Sequence, residues 1–311
     1  MDTVIVTPRS LSKGGHPLLE RIAAAGYRLV FPSPGAQPTE DELAAVIGDA
    51  VGYLAGVERI GAALLARASR LKVISRNGTG VDNIDLAAAA SRGIAIRRAD
   101  GANARGVAEL TFGHVLAAAR GIAAADAELK AGRWTREKGF ELEGRTLGLI
   151  GCGRIGKLVA RFGLAFDMKV LAFDPFPDRT FAPSPSFAWA PLPQVLREAH
   201  VLSLHCPPPP DGRPLLDAEA LAALRRGAVV VNTARQGLVD EAAMAAALRE
   251  RRLAAYTMDA FDREPPTDLK LVRTQGVLAT PHLGGFTDES VDRATAVAVD
   301  NLLASLRGMG P

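Results

Sequence analysis

Apolar positions follow two different spacings along this chain of 311 residues. Short continuous apolar runs, which are typical of buried strands, alternate with stretches in which apolar residues recur every three or four positions, as on an amphipathic helix. Five such runs lie between residues 3 and 96, and six lie between residues 146 and 279. This alternation predicts parallel sheets with helical crossovers, and therefore two α/β domains.

Three segments do not follow this alternation of short strands and helices. Residues 104 to 127 are rich in alanine and carry an apolar stripe, which predicts one helix long enough to cross between the domains. His114 lies on this stripe, and we expect it to pack against or cap a neighbour rather than to catalyse. The charged residues 130 to 143, which include Trp134, suggest a surface connection. The amphipathic stretch 287 to 307 has no strand of its own, so we expect it to return to the first domain.

A strand, a glycine-rich turn and a helix follow one another from residue 146 onwards. Gly151, Gly153 and Gly156 come directly after an apolar run. In the dinucleotide-binding fingerprint the first glycine makes the turn, the second lets the backbone approach a pyrophosphate, and the third lets the helix pack closely on the strand. Asp174 ends the next strand, eighteen residues after Gly156, where a carboxylate can hydrogen-bond an adenosine ribose. This segment therefore predicts a Rossmann domain with a doubly wound parallel sheet of six strands.

The same glycines also match the start of the phosphate-binding loop of nucleoside triphosphatases. That loop needs Ser or Thr after its lysine to hold magnesium, but Leu158 follows Lys157 here, so we reject this interpretation. The carboxylate of Asp174 would repel a 2′-phosphate, and Pro175 and Phe176 after it supply no arginine. We therefore expect NAD rather than NADP.

The net charge, the apolar runs and the cysteines indicate which kinds of partner this protein has. The net charge of +3 is small for this length, so the sequence pI near 9.0 does not indicate a nucleic-acid partner. The chain lacks a signal-peptide pattern at its start and an apolar run of the ~20 residues that a membrane span needs. Cys152 and Cys206 fit neither a metal-ligand spacing nor a disulfide framework, so we expect reduced thiols and no metal. These features favour a cytoplasmic protein that acts on a small molecule.

Charged residues follow three predicted strands of the second domain. Arg235 follows one strand, Glu264 lies beyond the next, and His282 follows the last. Because ligands bind at the carboxyl ends of strands in open α/β sheets, we expect the three to converge. Arg235 can hold a substrate carboxylate through two parallel hydrogen bonds, and His282 can exchange a proton with a hydroxyl or carbonyl oxygen. Glu264 can pair with His282 and favour its charged form, so the three predict a catalytic set.

A second glycine-rich loop, SRNGTGVDNID, starts at Ser75 in the first domain. Gly78 and Gly80 follow a strand, and Asp85 is placed to cap the next helix. Such a loop commonly carries ligands, but the local sequence is equally compatible with a plain turn.

These motifs resemble those of the D-isomer-specific 2-hydroxyacid dehydrogenases, and most closely the D-3-phosphoglycerate dehydrogenases among them. The matching segments run nearly end to end: SRNGTGVDNID at 75, GANARGVAEL at 101, GLIGCGRIGK at 148, FDP at 173, NTARQGLVDE at 232, MDAFDREPP at 258 and TPHLGG at 280. The resemblance implies a flavodoxin-like substrate domain made of residues 1–103 and 285–311, with the NAD-binding Rossmann domain, residues 104–284, inserted into it. It also implies a homodimer joined largely through the NAD domains.

The resemblance implies the same catalytic set, with Arg235 binding the substrate carboxylate, His282 as the acid and base, and Glu264 as its partner. It implies that cofactor contacts come from the glycine turn and from strand ends: Gly151, Gly153, Arg154, Ile155, Gly156, Asp174, Cys206, Thr233, Ala234, Arg235, Asp259, His282, Gly284, Gly285 and, from the first domain, Thr79. It further implies that the loop Asn77, Gly78, Thr79 and Gly80 offers backbone N–H groups to the substrate carboxylate.

One departure from the family pattern lies beside the catalytic arginine. Family members often have Arg-Gly-Gly there, whereas Gln236 follows Arg235 in this chain, so the local backbone or pocket can differ. We expect an NAD-dependent dehydrogenase that interconverts a D-2-hydroxy acid and its 2-keto acid, with 3-phosphoglycerate as the leading substrate in serine biosynthesis. Glyoxylate or hydroxypyruvate reduction is the nearest alternative, and an NAD-sensing corepressor-like protein is the alternative of another class. Arg59, Arg76 or Arg97 could bind a substrate phosphate, and the sequence leaves open which one does.

Overall fold

The computed structural model describes residues 1–13 and 15–308. The chain divides into two units, Met1–Asn103 with Thr287–Pro311, and Ala104–Phe286. The second boundary therefore lies two residues beyond the 284/285 position expected from the sequence.

The first unit contains a five-stranded, wholly parallel sheet with the strand order β2-β1-β3-β4-β5. This is the flavodoxin-like order, as expected. Its elements are β1 Thr3–Val6, α1 Arg9–Ser12, α2 Pro17–Ala24, β2 Arg28–Val30, α3 Glu40–Val46, β3 Ala50–Ala55, α4 Ala62–Ala66, β4 Val73–Arg76, α5 Leu86–Ser91, β5 Ala95–Arg98 and the last helix of the chain, α12 Asp288–Leu306.

Local sequence accounts for several helix starts in this unit. Thr39 begins α3 with a capping box, in which its hydroxyl accepts from the Glu42 N–H while the Glu42 carboxylate accepts from the Thr39 N–H. Asp85 begins α5, since its carboxylate accepts from the Ala88 N–H at 2.9 Å as predicted. The helix α12 packs through Ala298, Val299 and other apolar residues into the core of this unit, which confirms that the last helix returns to it.

The second unit contains a seven-stranded parallel sheet. Its elements are α6 Ala104–Arg120, α7 Ile122–Lys130, β6 Thr146–Ile150, α8 Arg154–Ala165, β7 Lys169–Phe173, β8 Phe187–Trp189, α9 Leu192–Glu198, β9 Val201–Leu204, α10 Ala218–Ala223, β10 Ala228–Asn232, α11 Glu241–Arg249, β11 Leu253–Met258 and β12 Val277–Ala279. The strand order is β12-β11-β10-β9-β6-β7-β8. Six of these strands reproduce the Rossmann order, with β6 as its first strand, and β12 extends the sheet by one.

The prediction of six strands was one short. The missed strand is β8, which pairs with β7 through three residues at the sheet edge. It is hard to see in the sequence because it is three residues long and follows a segment with several prolines and serines. Tertiary packing supports it, since the Phe187 ring makes edge contacts with Phe181 and Trp189 at 5.2 and 5.4 Å between centroids.

The prediction of one helix from 104 to 127 was also wrong. The helix α6 ends at Arg120, and α7 starts after Gly121, which has a left-handed φ of 61°. Glycine adopts this conformation without the steric penalty that other residues incur, so it separates two helices whose apolar spacing reads as continuous. The segment 131 to 143 is irregular, and Trp134 is 82% exposed, as expected of a surface connection.

In residues 1–13 and 15–308, none of the helices combines the length and the apolar character that crossing a bilayer requires.

Candidate active site

Two of the residues predicted to act together form a direct pair in the second unit. The Nδ1 atom of His282 lies 2.7 Å from Oε1 of Glu264. His282 follows β12 and has a left-handed φ of 55°, which is uncommon outside glycine and needs support from the surrounding structure. Glu264 lies in the irregular loop after β11 and also accepts from the Phe261 N–H at 3.3 Å. The pair therefore joins the ends of two neighbouring strands.

The environment favours a charged pair. The hydrogen bond to Glu264 raises the pKa of His282 above its ordinary value against the opposing effect of burial. The negative charges of Glu264 and Asp259 act in the same direction, and the positive charge of Arg235 opposes them. For Glu264 burial disfavours the carboxylate, but the hydrogen bond and charge of His282, the Phe261 N–H and the charge of Arg235 together outweigh it. The pKa of Glu264 therefore lies below its ordinary value.

The third predicted residue, Arg235, follows β10. Asn232, the last residue of that strand, is 1% exposed and supports the turn by donating from Nδ2 to the Arg235 carbonyl at 2.8 Å. The Asn232 Oδ1 atom accepts from the Ala234 N–H at 3.1 Å. The Arg235 guanidinium donates to the Ala234 carbonyl at 2.8 Å. Its positive charge lowers the pKa of both Glu264 and His282, and this effect is smaller than those described above.

Asp259 is buried beneath the loop that carries His282. One carboxylate oxygen accepts from the Thr280 hydroxyl at 2.5 Å and from the Leu283 N–H at 2.7 Å, and the other accepts from the Gly284 N–H at 2.8 Å. The side chain is 2% exposed, so these bonds hold a charge that would otherwise be costly to bury. The carboxylate of Asp259 thus shapes residues 280 to 284, and the contact with the cofactor that the resemblance implies for Asp259 stays a prediction.

His114 extends this network. Its Nε2 lies 3.0 Å from the Thr280 hydroxyl oxygen, and that hydroxyl faces the Asp259 carboxylate, which can only accept. Thr280 therefore donates its proton to Asp259 and accepts from the Nε2–H of His114. Burial lowers the pKa of His114, which keeps it neutral with its proton on Nε2. The expectation that His114 caps a neighbour is confirmed by this bond.

One face of α6 contacts the residues that follow β10 and β12. Thr111, one turn before His114, donates to the Val107 carbonyl at 2.7 Å and lies 2.7 Å from the Thr233 hydroxyl, which consequently donates to it. These supporting roles of Thr111 and Thr280 were not predicted from the sequence. The available signal was the presence of two polar residues, Thr111 and His114, on an otherwise apolar helical stripe.

The glycine turn after β6 has the close contacts that the fingerprint requires. A Cβ atom at Gly151, where φ is 88°, would lie 2.5 Å from the His205 carbonyl oxygen, and one at Gly156 would lie 2.3 Å from the Gly151 carbonyl oxygen. A Cβ at Gly153, the residue that begins α8, would meet no described atom within 4 Å. The first and third glycines therefore serve packing, and the second leaves open space at the start of the helix.

That helix start suits a pyrophosphate. Among the described residues no side chain caps α8, and its first turn carries Arg154 and no acidic residue. Unpaired N–H groups and the helix dipole favour an anion at such a position. Ile155 lies in the same turn, so the predicted phosphate contacts share one site.

Asp174 is held in place at the end of β7. One carboxylate oxygen accepts from the Cys152 N–H and the other from the Phe176 N–H, both at 2.9 Å. The carboxylate therefore lies against the glycine turn, as a ribose ligand must. The residues present fit a dinucleotide with a free 2′-hydroxyl.

We expect D174A to weaken NAD binding by about 10-fold or more and to reduce the preference for NAD over NADP. The variant loses both the acceptor for the ribose hydroxyls and the charge that repels a 2′-phosphate. Fluorescence titration with NADH and NADPH measures both effects. The matched control is D178A, which removes an exposed carboxylate of the same loop that is paired with Lys157. An unchanged ratio of the two affinities in D174A would contradict this assignment.

Both cysteines are free, as predicted. Burial raises the pKa of Cys152 to about 12 and that of Cys206 to about 11, so both remain thiols near neutrality. Burial lowers the pKa of His205, just before Cys206, to about 3, and its Nε2 lies 2.9 Å from the Ser203 hydroxyl. These groups are supporting parts of the turn rather than proton donors or nucleophiles.

In the glycine loop of the first unit, two of the four N–H groups that the resemblance implies for substrate binding make backbone hydrogen bonds. The Asn77 N–H donates to the Ala55 carbonyl and the Gly78 N–H to the Arg76 carbonyl, both at 2.9 Å. The N–H groups of Thr79 and Gly80 donate to none of the backbone carbonyls that the structure describes. Gly78 has a φ of 154°, and a Cβ there would lie 3.2 Å from the Arg76 guanidinium.

Comparison with known proteins places the chain in a family. The profile of the D-isomer specific 2-hydroxyacid dehydrogenase, NAD binding domain, matches residues 112–284. A D-3-phosphoglycerate dehydrogenase from Methanocaldococcus jannaschii is 39% identical over 274 residues, which are 87% of this chain and 52% of that protein. A hydroxypyruvate reductase from Thermotoga maritima is 38% identical over 273 residues, which are 86% of this chain and 88% of that protein.

A solved structure is similar to this chain over nearly its full length. The TT0316 protein from Thermus thermophilus is 37% identical, with a TM-score of 0.88 over 99% of this chain and 98% of that one. The chain spans about half the length of the phosphoglycerate dehydrogenase but most of the reductase. The family match confirms the predicted fold class and NAD as the cofactor, and the chain belongs to the D-isomer-specific 2-hydroxyacid dehydrogenases.

Proposed function

We propose that this protein is an NAD-dependent oxidoreductase that interconverts a D-2-hydroxy acid and its 2-keto acid. The observation that carries the proposal is the hydrogen-bonded pair of His282 and Glu264, 2.7 Å apart, at the strand ends of an NAD-binding unit. Arg235 supplies a cation near this pair, as its effect on the pKa of both residues indicates.

Each residue has a definite task in the proposed reaction. NAD, when bound, supplies the hydride acceptor or, as NADH, the hydride donor. Arg235 binds and orients the substrate carboxylate through its planar pair of N–H donors. During reduction the imidazolium of His282 gives the proton from Nε2 to the carbonyl oxygen, since Nδ1 faces Glu264. During oxidation the neutral imidazole takes that proton from the hydroxyl. Glu264 holds the ring orientation and stabilises the charged form.

For the first unit we propose that the N–H groups of Thr79 and Gly80 bind an anionic group of the substrate. The leading substrate is 3-phosphoglycerate, with 3-phosphohydroxypyruvate as its keto acid, because several relatives carry that activity in their names. Of the arginines considered for the phosphate, Arg59 is exposed, whereas Arg76 is buried and donates to the Asn77 carbonyl at 3.1 Å. Arg59 is therefore the better candidate of these two.

Hydroxypyruvate or glyoxylate reduction is the second candidate. It is favoured by the hydroxypyruvate reductase from Thermotoga maritima, because the match covers 88% of that protein. Oxidation of NADH, followed at its absorbance band, separates the candidates with a panel of 3-phosphohydroxypyruvate, hydroxypyruvate, glyoxylate, pyruvate and 2-ketoglutarate.

Each outcome of the panel has a distinct meaning. A higher kcat/KM for the phosphorylated keto acid would support phosphoglycerate dehydrogenation and a place in serine biosynthesis, in the cytoplasm. A preference for hydroxypyruvate or glyoxylate would support the reductase. Absence of turnover on every keto acid, with NAD still bound, would contradict the enzymatic proposal and favour an NAD-sensing regulatory protein.

We also propose a homodimer formed through the NAD-binding units. The helix α7 has no buried residue among those described, and Ile122 and Leu129 are 54% and 59% exposed. Trp134, which follows this helix, is 82% exposed. Exposed apolar residues grouped in this way are typical of an interface between subunits, and a second copy of the chain would cover them. Sedimentation equilibrium is expected to give twice the chain mass of 32.6 kDa.

A further inference from the structure

Gln236, the residue next to Arg235, connects two segments of the second unit. Its Oε1 atom accepts from the backbone N–H of Asp262 at 2.7 Å. Its Nε2 atom donates to the carboxylate of Glu241 in the first turn of α11. The amide therefore links a helix to the irregular loop that follows β11.

The two ends of this amide cannot be exchanged. A backbone N–H only donates and an ionised carboxylate only accepts, so the oxygen must face Asp262 and the NH₂ group must face Glu241. The bond to Glu241 is charge-assisted, which strengthens it and fixes the rotamer of Gln236. Both hydrogen-bonding groups of the side chain are consequently used in joining these segments.

The two segments differ in secondary structure and burial. The helix α11 begins at an aspartate cap, with Asp240 accepting from the Ala243 N–H at 2.9 Å, and Met244 is fully buried in the core. The loop has no regular structure from residue 259 to 268, and its Asp262 is exposed. Gln236 therefore attaches a loop without regular backbone bonding to a helix that is packed into the core.

The attachment lies two residues from Glu264, which orients His282. We propose that Gln236 is a positioning residue, whose amide holds the loop after β11 so that the Glu264 carboxylate stays aligned with the His282 imidazole. The described hydrogen bonds of the Gln236 amide go to Asp262 and Glu241 and not to the pair itself, so it acts through the loop backbone. The kinetic part of this inference rests on the proposed dehydrogenase function, and its structural part does not.

The sign of the effect follows from the electrostatics of the pair. The hydrogen bond with Glu264 is the main cause of the raised pKa of His282. If the loop loosens, this bond is made for a smaller fraction of the time, and the pKa of His282 falls. In keto acid reduction the alkaline limb of the pH profile then moves to lower pH, because the imidazolium is lost earlier.

The first variant is Q236A, which removes both bonds without adding the backbone freedom of glycine. We expect kcat for keto acid reduction to fall about 10-fold, since small misplacements of a catalytic group are costly, with a smaller change in KM. We expect the alkaline limb and the His282 titration measured by NMR to move to lower pH. The chain has five histidines, so the His282 signal can be assigned with H282N.

A pair of variants tests the bonds themselves. Q236E keeps an acceptor for the Asp262 N–H but sets a second carboxylate against Glu241, so we expect activity no higher than that of Q236A. Q236E/E241Q restores both hydrogen bonds with donor and acceptor exchanged at the contact between these two side chains. We expect this double variant to recover most of kcat and the wild-type His282 titration. A side chain that only filled space would show no such recovery.

The matched control is Q194A on α9. Gln194 also donates to a glutamate, Glu198, at 3.0 Å, and this bond lies within one helix and joins no second segment. We expect this variant to keep wild-type kcat and His282 titration. An unaltered His282 titration in Q236A, or a Q236E/E241Q variant that stays as impaired as Q236E, would overturn the inference. If the wild-type protein reduces none of the keto acids, the proposed function fails, and the NMR titration alone decides the role of Gln236.

Discussion

H282N is expected to lower kcat for keto acid reduction by roughly 10²–10⁴-fold, the usual contribution of a positioned acid or base. Asparagine can still donate to the Glu264 carboxylate from about the position of Nδ1, but it offers no titrating nitrogen in place of Nε2. The loss therefore reports proton exchange rather than collapse of the pair. Stopped-flow measurement of NADH oxidation at saturating substrate gives the value.

The matched control for this change is H16N. His16 begins α2 by accepting from the Leu18 N–H, and asparagine serves equally well at such a position. We expect H16N to keep wild-type turnover, with NADH affinity unchanged in both variants. Wild-type kcat in H282N would remove His282 from the proposed chemistry.

The charge state of His282 also determines how the rate depends on pH. Reduction needs the imidazolium, so its rate is expected to be constant below the raised pKa of His282 and to fall as pH rises through it. Oxidation needs the neutral imidazole and is expected to show the opposite dependence. E264Q replaces the charge-assisted hydrogen bond that raises this pKa by a weaker neutral one and should move both limbs to lower pH.

R235A is expected to lower kcat/KM for the keto acid by roughly 10²–10³-fold. A hydrogen bond to a charged group contributes ~1.5–3 kcal/mol, and the guanidinium can make two to one carboxylate. R235K keeps the charge but loses the planar pair of donors, so we expect an intermediate loss. Steady-state kinetics with the best substrate of the panel measures both variants.

The control for the arginine is R249A, which removes an exposed arginine from the last turn of α11. We expect this variant to retain wild-type kcat/KM. NAD binding in R235A should change little, because the main effect falls on the substrate carboxylate. A loss confined to NAD affinity would show that Arg235 serves the cofactor instead.

Supporting contacts were harder to predict than the reacting groups. The three reacting groups could be predicted because each comes shortly after a strand: Arg235, Glu264 and His282. The carboxyl ends of parallel strands meet at one edge of a sheet. Glu264 and His282 accordingly lie 2.7 Å apart, as expected. The buried chain from His114 through Thr280 to Asp259 joins segments more than a hundred residues apart, and no local pattern indicates such a contact. The sequence showed only that Gln236 departs from the family pattern, and it did not show what its side chain contacts.

Irregular features account for the errors in the fold. The strand β8 is three residues long, and its place at the sheet edge depends on pairing with β7 and on aromatic contacts of Phe187. The break at Gly121 is invisible to apolar spacing, because the stripe continues on both sides of a single left-handed residue. A periodicity of two or 3.6 residues shows neither a three-residue edge strand nor a single left-handed residue.

Local sequence was enough to predict the class of both sheets, the glycine turn for NAD and the catalytic candidates. Apolar spacing selects strands and helices, and glycines allow close backbone approach. The arrangement of the charges, by contrast, depends on contacts between remote segments. Folding brings His282 beside Glu264, buries Asp259 under the loop of residues 280 to 284, and joins Gln236 to Asp262. These contacts between separate segments set the pKa values of His282 and Glu264 and the positions of their side chains.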